Sequence, residues 1–116
     1  MMKLPNVEQA IVPQHKLTQY LLSPTHPAGR SKAAFFASFG FMQQTWETLA
    51  DALRTHALEH EVVTTEVTPF GTSYTVEGML MTPDGRAPLV RVVWFIEIGD
   101  TIPRLVTAYP LKGAKS

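Results

Sequence analysis

Residues 88–98 read Pro88-Leu89-Val90-Arg91-Val92-Val93-Trp94-Phe95-Ile96-Glu97-Ile98, and this stretch decides the fold class. Val90, Val92, Trp94, Ile96 and Ile98 fall on one side of an extended chain, and Leu89, Arg91, Val93, Phe95 and Glu97 on the other. Side chains that alternate with period two sort an all-apolar row from one that carries charges, so the segment reads as a β-strand with one buried face. Working outward, Val62–Thr68, Ser73–Met81 and Arg104–Tyr109 are rich in Val, Thr and aromatic residues and read as three more strands. Gly71, Pro83-Asp84-Gly85 and Gly99-Asp100 mark the turns. Connections this short join antiparallel neighbours, which gives a meander.

Upstream of Glu61 the period becomes helical. Trp46, Leu49, Ala50, Leu53 and Ala57 form one apolar stripe on a helix from about Gln43 to Leu58, with Glu47 and Asp51 on its wet side. Ser31 is the expected N-cap of a shorter helix through Phe35, Phe36 and Phe39, with Gly40 as its stop. Pro13 suits the first turn of a helix on which Leu17, Tyr20 and Leu21 share a face, and Ala10-Ile11-Val12 reads as extended. Ser23-Pro24-Thr25-His26-Pro27-Ala28-Gly29-Arg30 must be a loop, since its prolines and glycine interrupt a helix. Helices at about 14–60 followed by strands at about 61–110 imply an α+β domain spanning residues 1–116. Its N-terminal helices should pack on one face of a four-stranded antiparallel sheet. Val90, Val92, Trp94 and Ile96 are expected to meet Phe36, Leu49 and Leu53.

The 116 residues suffice for one core and are too few for two domains with a cleft between them. Ten Lys+Arg balance ten Asp+Glu, which excludes a uniformly basic coat for nucleic acid but not a local patch. There is no cysteine, so disulfides, thiolate catalysis and sulfur-ligated zinc are excluded. No apolar run approaches the ~20 residues of a bilayer span, and the start lacks a secretory signal. The expectation is a cytoplasmic chain with no membrane partner.

Charge is segregated along the chain. Between Gln9 and Trp46 no acid occurs, while Lys16, Arg30 and Lys32 lie there with His15 and His26. A loop feeding a helix N-terminus offers free backbone N–H groups and a positive dipole end, a seat for phosphate; the plainer reading is a solvated basic surface. His56-Ala57-Leu58-Glu59-His60 matches the H-x-x-E-H pattern of one zinc peptidase class. A third ligand and a substrate cleft are lacking, so the expectation is structural helix-end histidines, with no metal and no cofactor. No Gly-x-Ser-x-Gly elbow, glycine-rich phosphate loop or carboxylate pair is evident. Arg104, Thr107 and Tyr109 share the last strand, but regular pleating puts Arg104 on one face and Thr107 and Tyr109 on the other. They can serve one site if a bulge or strand end re-aims one of them. Otherwise Arg104 is an edge-strand cation paired with Glu97 or Glu77.

Several of these segments together resemble a bacterial family. They are Lys16-Leu17 with Tyr20-Leu21-Leu22, His26-Pro27-Ala28-Gly29-Arg30-Ser31-Lys32-Ala33 with Phe36, Phe70-Gly71 with Tyr74, Trp94, and Pro103 to Tyr109. The family is an uncharacterised domain that occurs as stand-alone chains, and the resemblance covers about residues 4–111. Very similar segments end large polymorphic secreted toxins. Those modules resemble the ribonuclease group of barnase, EndoU, colicin tRNases and RelE, whose helices pack on a four-stranded antiparallel sheet. The resemblance implies metal-independent RNA cleavage, in which the ribose 2′-OH attacks the adjacent phosphate. It implies His26 as acid/base, Lys32 and Arg104 as phosphate-stabilising cations, Thr107 as a hydrogen-bond partner, and Lys16, Arg30 and Tyr109 as substrate contacts. These groups are then expected to line one groove around a common phosphate. The implied partners are RNA and a small antitoxin or immunity protein. The alternative is a non-catalytic interaction domain that binds a protein through its sheet.

Overall fold

The computed structural model describes residues 2–111. After a 3₁₀ turn at Val7–Gln9, the extended segment around Ile11 runs parallel to the start of the last strand. Ile11 N–H donates to the Pro103 carbonyl at 2.9 Å, and Leu105 N–H donates to the Ile11 carbonyl at 3.0 Å. Helix α1 (Gln14–Lys16) follows Pro13 and widens into a π turn, Leu17–Leu21, closed by Leu22 N–H bonding the Leu17 carbonyl at 2.7 Å. Helix α2 spans Arg30–Ser38. Helix α3 spans Trp46–Glu59 after a 3₁₀ turn at Gln43–Thr45. The strands are β1 (Val62–Thr68), β2 (Gly71–Met79), β3 (Leu89–Glu97) and β4 (Arg104–Pro110), in the order β1-β2-β3-β4 and antiparallel throughout. The expected α+β meander is the observed fold.

Helix α2 ends as the sequence suggests. Gly40 takes φ +101°, its N–H bonds Ala37 O at 3.0 Å, and Phe41 N–H bonds Phe36 O at 3.1 Å. This is a Schellman closure that glycine makes without Cβ strain, and the Phe36 and Phe41 rings supply its usual apolar contact, edge to face at 6.0 Å. Its start differs from expectation. Ser31 lies exposed inside the first turn and makes no cap; the N-cap position is Gly29, without a side-chain cap, and the His26 ring turns the loop that leads into it.

The central row of β3 behaves as its alternation requires. Val90, Val92 and Trp94 are fully buried in one cluster with Phe36, Leu49 and Leu53. Ile96 is half-buried, and Ile98 stands 75% exposed in the turn beyond the strand, so the buried row stops short of its predicted end. Strand β1 is largely exposed, with Val67 at 79%. The helical layer therefore covers β2, β3 and β4 rather than the whole sheet face. Among the described residues no helix is long and apolar enough to cross a membrane.

Trp94 Nε1–H is buried with no hydrogen-bond partner among the described residues. Trp94→Ala should cost about 3–5 kcal/mol through the cavity it leaves. Trp94→Phe should cost only about 1–2 kcal/mol, because it also removes an unpartnered donor. Urea unfolding midpoints of the two variants check this ordering.

Candidate anion site at the edge of the sheet

The loop before α2 is built around one histidine. His26 Nδ1 accepts the N–H groups of Ala28 and Gly29, each at 3.0 Å. The His26 carbonyl accepts from Gly29 N at 3.1 Å and from Arg30 N at 2.9 Å. The amides of residues 28–30 are thus engaged within the loop, and the phosphate seat expected from free N–H groups there is occupied by the chain's own histidine. With Nδ1 accepting two donors, the neutral ring carries its proton on Nε2, which leaves His26 as a donor toward solvent. A Cβ on Gly29 would lie 2.1 Å from the Tyr20 carbonyl oxygen and 2.9 Å from its Cδ1. Only glycine lets the loop sit on Tyr20 this closely.

Tyr20 is the centre of the arrangement. Its hydroxyl is 3.0 Å from Thr107 Oγ1, its ring meets the His26 ring edge to face at 5.1 Å, and Lys16 Nζ and Lys32 Nζ stand 5.6 and 5.4 Å from its centroid. Lys32 is steadied by donating to the Ala28 carbonyl at 3.3 Å. Partial burial alone would raise the pKa of this phenol. The Thr107 hydroxyl and the Lys32 and Lys16 charges outweigh that and hold its pKa below the usual tyrosine value. His15, Lys16, Gln19, Tyr20 and His26 line a depression of about 370 Å³, and Ser31, Lys32, Tyr109 and Pro110 line another of about 440 Å³.

Thr107 reaches this cluster through a register slip. Val93 lies opposite Thr107 and Trp94 opposite Leu105, so Val106 is an extra residue, a β-bulge. Leu105 and Ala108 both turn into the core, while Arg104 and Thr107 fall opposite Phe95 and Val93, in one row. A bulge, one of the two devices the sequence left open, therefore removes the pleating conflict. Arg104 is exposed, borders neither depression, and makes no ion pair among the described residues. The pairing considered for it is taken by Arg91, whose Nε bonds Glu77 Oε2 at 2.6 Å and whose Nη1 lies 3.5 Å from the Tyr109 hydroxyl. Arg30 borders a different groove, with Leu22, Ala34 and Met42. Two residues apart on a helix, Arg30 and Lys32 face different sides. The structure thus joins Lys16, His26, Lys32 and Thr107 through Tyr20, brings Tyr109 beside Lys32, and leaves Arg30 outside. Tyr20 escaped the sequence reading because it sits on the apolar face with Leu17 and Leu21; its i+4 spacing from Lys16 was the available signal.

The second histidine pair has a different role. His56 Nε2 lies 3.2 Å from the Gly78 carbonyl and His60 Nε2 lies 3.0 Å from the Met79 carbonyl, with ring centroids 4.7 Å apart. Both rings tie the end of α3 to β2. Among the described residues no three His, Asp or Glu side chains gather as metal ligands would.

The fold and site define a class: an α+β domain in which N-terminal helices cover an antiparallel meander and a cationic, aromatic cluster sits against its last strand. The chain belongs to the family described as "Domain of unknown function (DUF6883)", whose model matches residues 3–112. It is similar in fold to a chain of a contact-dependent growth inhibition toxin–immunity protein complex from Klebsiella pneumoniae 342. That match has 15% identity and a TM-score of 0.69, and covers 88% of this chain and 100% of the other. No curated protein matches.

Burial pushes the His56 imidazole down to about 4 from the ordinary 6.5, with His60 adding to the effect and the Gly78 and Val90 backbone opposing it. An unfolded chain therefore binds this proton at a higher pH than the folded one. Stability should be fully present above pH 6.5 and fall by about 3 kcal/mol as the pH drops toward 4. Unfolding free energies measured across that window should show this slope, and His56→Gln should flatten it.

Proposed function

We propose that this domain is a toxin-related ribonuclease that binds the RNA backbone over Tyr20 and cleaves it by 2′-OH attack. The observation that carries the reading is the convergence of Lys16, Lys32, the His26 ring and the Thr107 hydroxyl on one phenol. One exposed lysine holds a phosphate weakly against solvent screening, whereas two cations beside one ring hold it jointly. The segment that supplies both contains no acidic residue from Gln9 to Trp46. Cleavage of this kind needs no protein nucleophile. It needs cations for the charge that builds on the phosphorane, donors for its oxygens, and a groove for single-stranded RNA. In this reading Lys16 and Lys32 are the cations, His26 Nε2–H and Thr107 are the donors, and Tyr109 borders the path of the strand. Arg104, in the row of Thr107, extends the cationic set along β4. The fold shared with a chain of a toxin–immunity complex supports the toxin-related part of the reading, and a small immunity or antitoxin protein is the corresponding partner.

A second reading, binding of a partner protein without catalysis, is favoured by one feature. Val67, Phe70 and Ile98 are 79%, 76% and 75% exposed at one end of the sheet, and Ile98 N–H bonds the Phe70 carbonyl at 2.9 Å. One assay separates the two. The ribonuclease should produce discrete fragments from single-stranded RNA in the presence of chelator, ending in 2′,3′-cyclic phosphate and 5′-hydroxyl groups. Lys16→Met with Lys32→Met should slow that cleavage on the order of a hundredfold, and added salt should weaken RNA binding. RNA left whole by the purified wild-type chain overturns the ribonuclease reading in favour of the second.

A further inference from the structure

We infer that Tyr20 is the proton acceptor of this site, the general base that activates the ribose 2′-hydroxyl; the inference rests on the ribonuclease reading above. The first ground is elimination by geometry. His26 holds two backbone N–H groups on Nδ1, so its free nitrogen carries a proton and can donate but not accept. The remaining ionisable groups at the cluster are Lys16 on α1, Lys32 on α2, His15 in the same depression, Tyr109 on β4 beside Lys32, and Tyr20 itself. An ammonium is no acceptor; His15, exposed on the first turn, makes no hydrogen bond or ring contact with Tyr20 or Thr107 among the described residues, and the Tyr109 hydroxyl is turned to Arg91 Nη1 at 3.5 Å.

The second ground is the placement of Tyr20. Thr107 Oγ–H can donate to a phenolate at the observed 3.0 Å, and both ammonium groups lie on the same ring. Each of these contacts favours the ionised phenol, and together they overcome the effect of its partial burial. The π turn that carries Tyr20 and the missing Cβ of Gly29 hold it where the loop and β4 meet. In the step, the 2′-hydroxyl proton passes to Tyr20 Oη as the 2′-oxygen forms its bond to phosphorus. The P–O5′ bond breaks, and the departing 5′-oxygen takes a proton from solvent. The products are a 2′,3′-cyclic phosphate and a 5′-hydroxyl, with atoms and charge balanced and no co-reactant. Tyr20 is then the catalytic residue, while Gly29 and Thr107 position it.

The test is Tyr20→Phe, which keeps the ring and its contacts with His26 and the loop, measured on a single-stranded RNA oligonucleotide under single-turnover conditions. The cleavage rate should fall on the order of a hundredfold or more, a loss far larger than any change in affinity for the 2′-O-methyl form of the same oligonucleotide. The wild-type rate should rise with pH through an inflection that Tyr20→Phe lacks. Titration of phenolate absorbance should show one tyrosine ionising ahead of the others, lost in Tyr20→Phe and moved up by Lys16→Met with Lys32→Met. Wild-type cleavage that survives Tyr20→Phe within about a factor of three overturns the inference and leaves the ribonuclease reading standing. A wild-type chain that does not cleave overturns both.

Discussion

The constraint on which the rest of the structure depends is the burial of Trp94 in the middle of β3. Val90, Val92 and Trp94 face the helices at regular two-residue spacing, so β4 must place its own apolar residues opposite them. It does so with Leu105 and Ala108, which are three residues apart, a spacing that no regular strand can turn to one face. The extra residue Val106 reconciles the two patterns. The same bulge puts Arg104 and Thr107 in one row and sets Thr107 against Tyr20. A packing requirement in the core thus shapes the chemistry at the edge, in keeping with the frequent occurrence of bulges beside functional sites.

The histidines divide the work between fold and function. His56 is buried and held neutral between α3 and β2, and His60 lies beside it on the Met79 carbonyl. The pair is part of the helix–sheet seam. His26 closes the loop before α2 by accepting two backbone amides, a task that Ser, Asp or Asn more often performs at a helix start. That leaves one ring nitrogen facing outward and makes the histidine a fixed donor. Proton acceptance passes to the phenol that the same loop packs upon.

The cationic cluster illustrates how a neutral chain can present a local positive field. The acid-free segment holds three basic residues, Lys16, Arg30 and Lys32, but helical geometry separates them and only the two lysines join the cluster. Lys16 and Lys32 come from different helices and each lies within about 6 Å of the Tyr20 ring centroid, where each gains cation–π stabilisation of about 0.5–1 kcal/mol. Arg30, only two residues from Lys32, turns to another groove.

The strand alternation from Val90 to Trp94, the apolar stripe from Leu49 to Ala57 and the turn glycines specified the architecture in the sequence alone, because each is a local period set by backbone geometry. The acid-free segment was legible in the same way, as was the pleating conflict between Arg104 and Thr107 that a bulge or a strand end had to resolve. Three things were not local and were decided by tertiary packing. Gly29, instead of Ser31, is the N-cap of α2, and His26 organises the loop before it, since only the folded loop brings its ring back to the Ala28 and Gly29 amides. The outer part of the predicted inner row is exposed, since the helical layer does not extend over β1 or past Glu97. Tyr20 became the hub of the site, since its hydroxyl finds Thr107 at a separation of 87 residues, which no periodicity encodes.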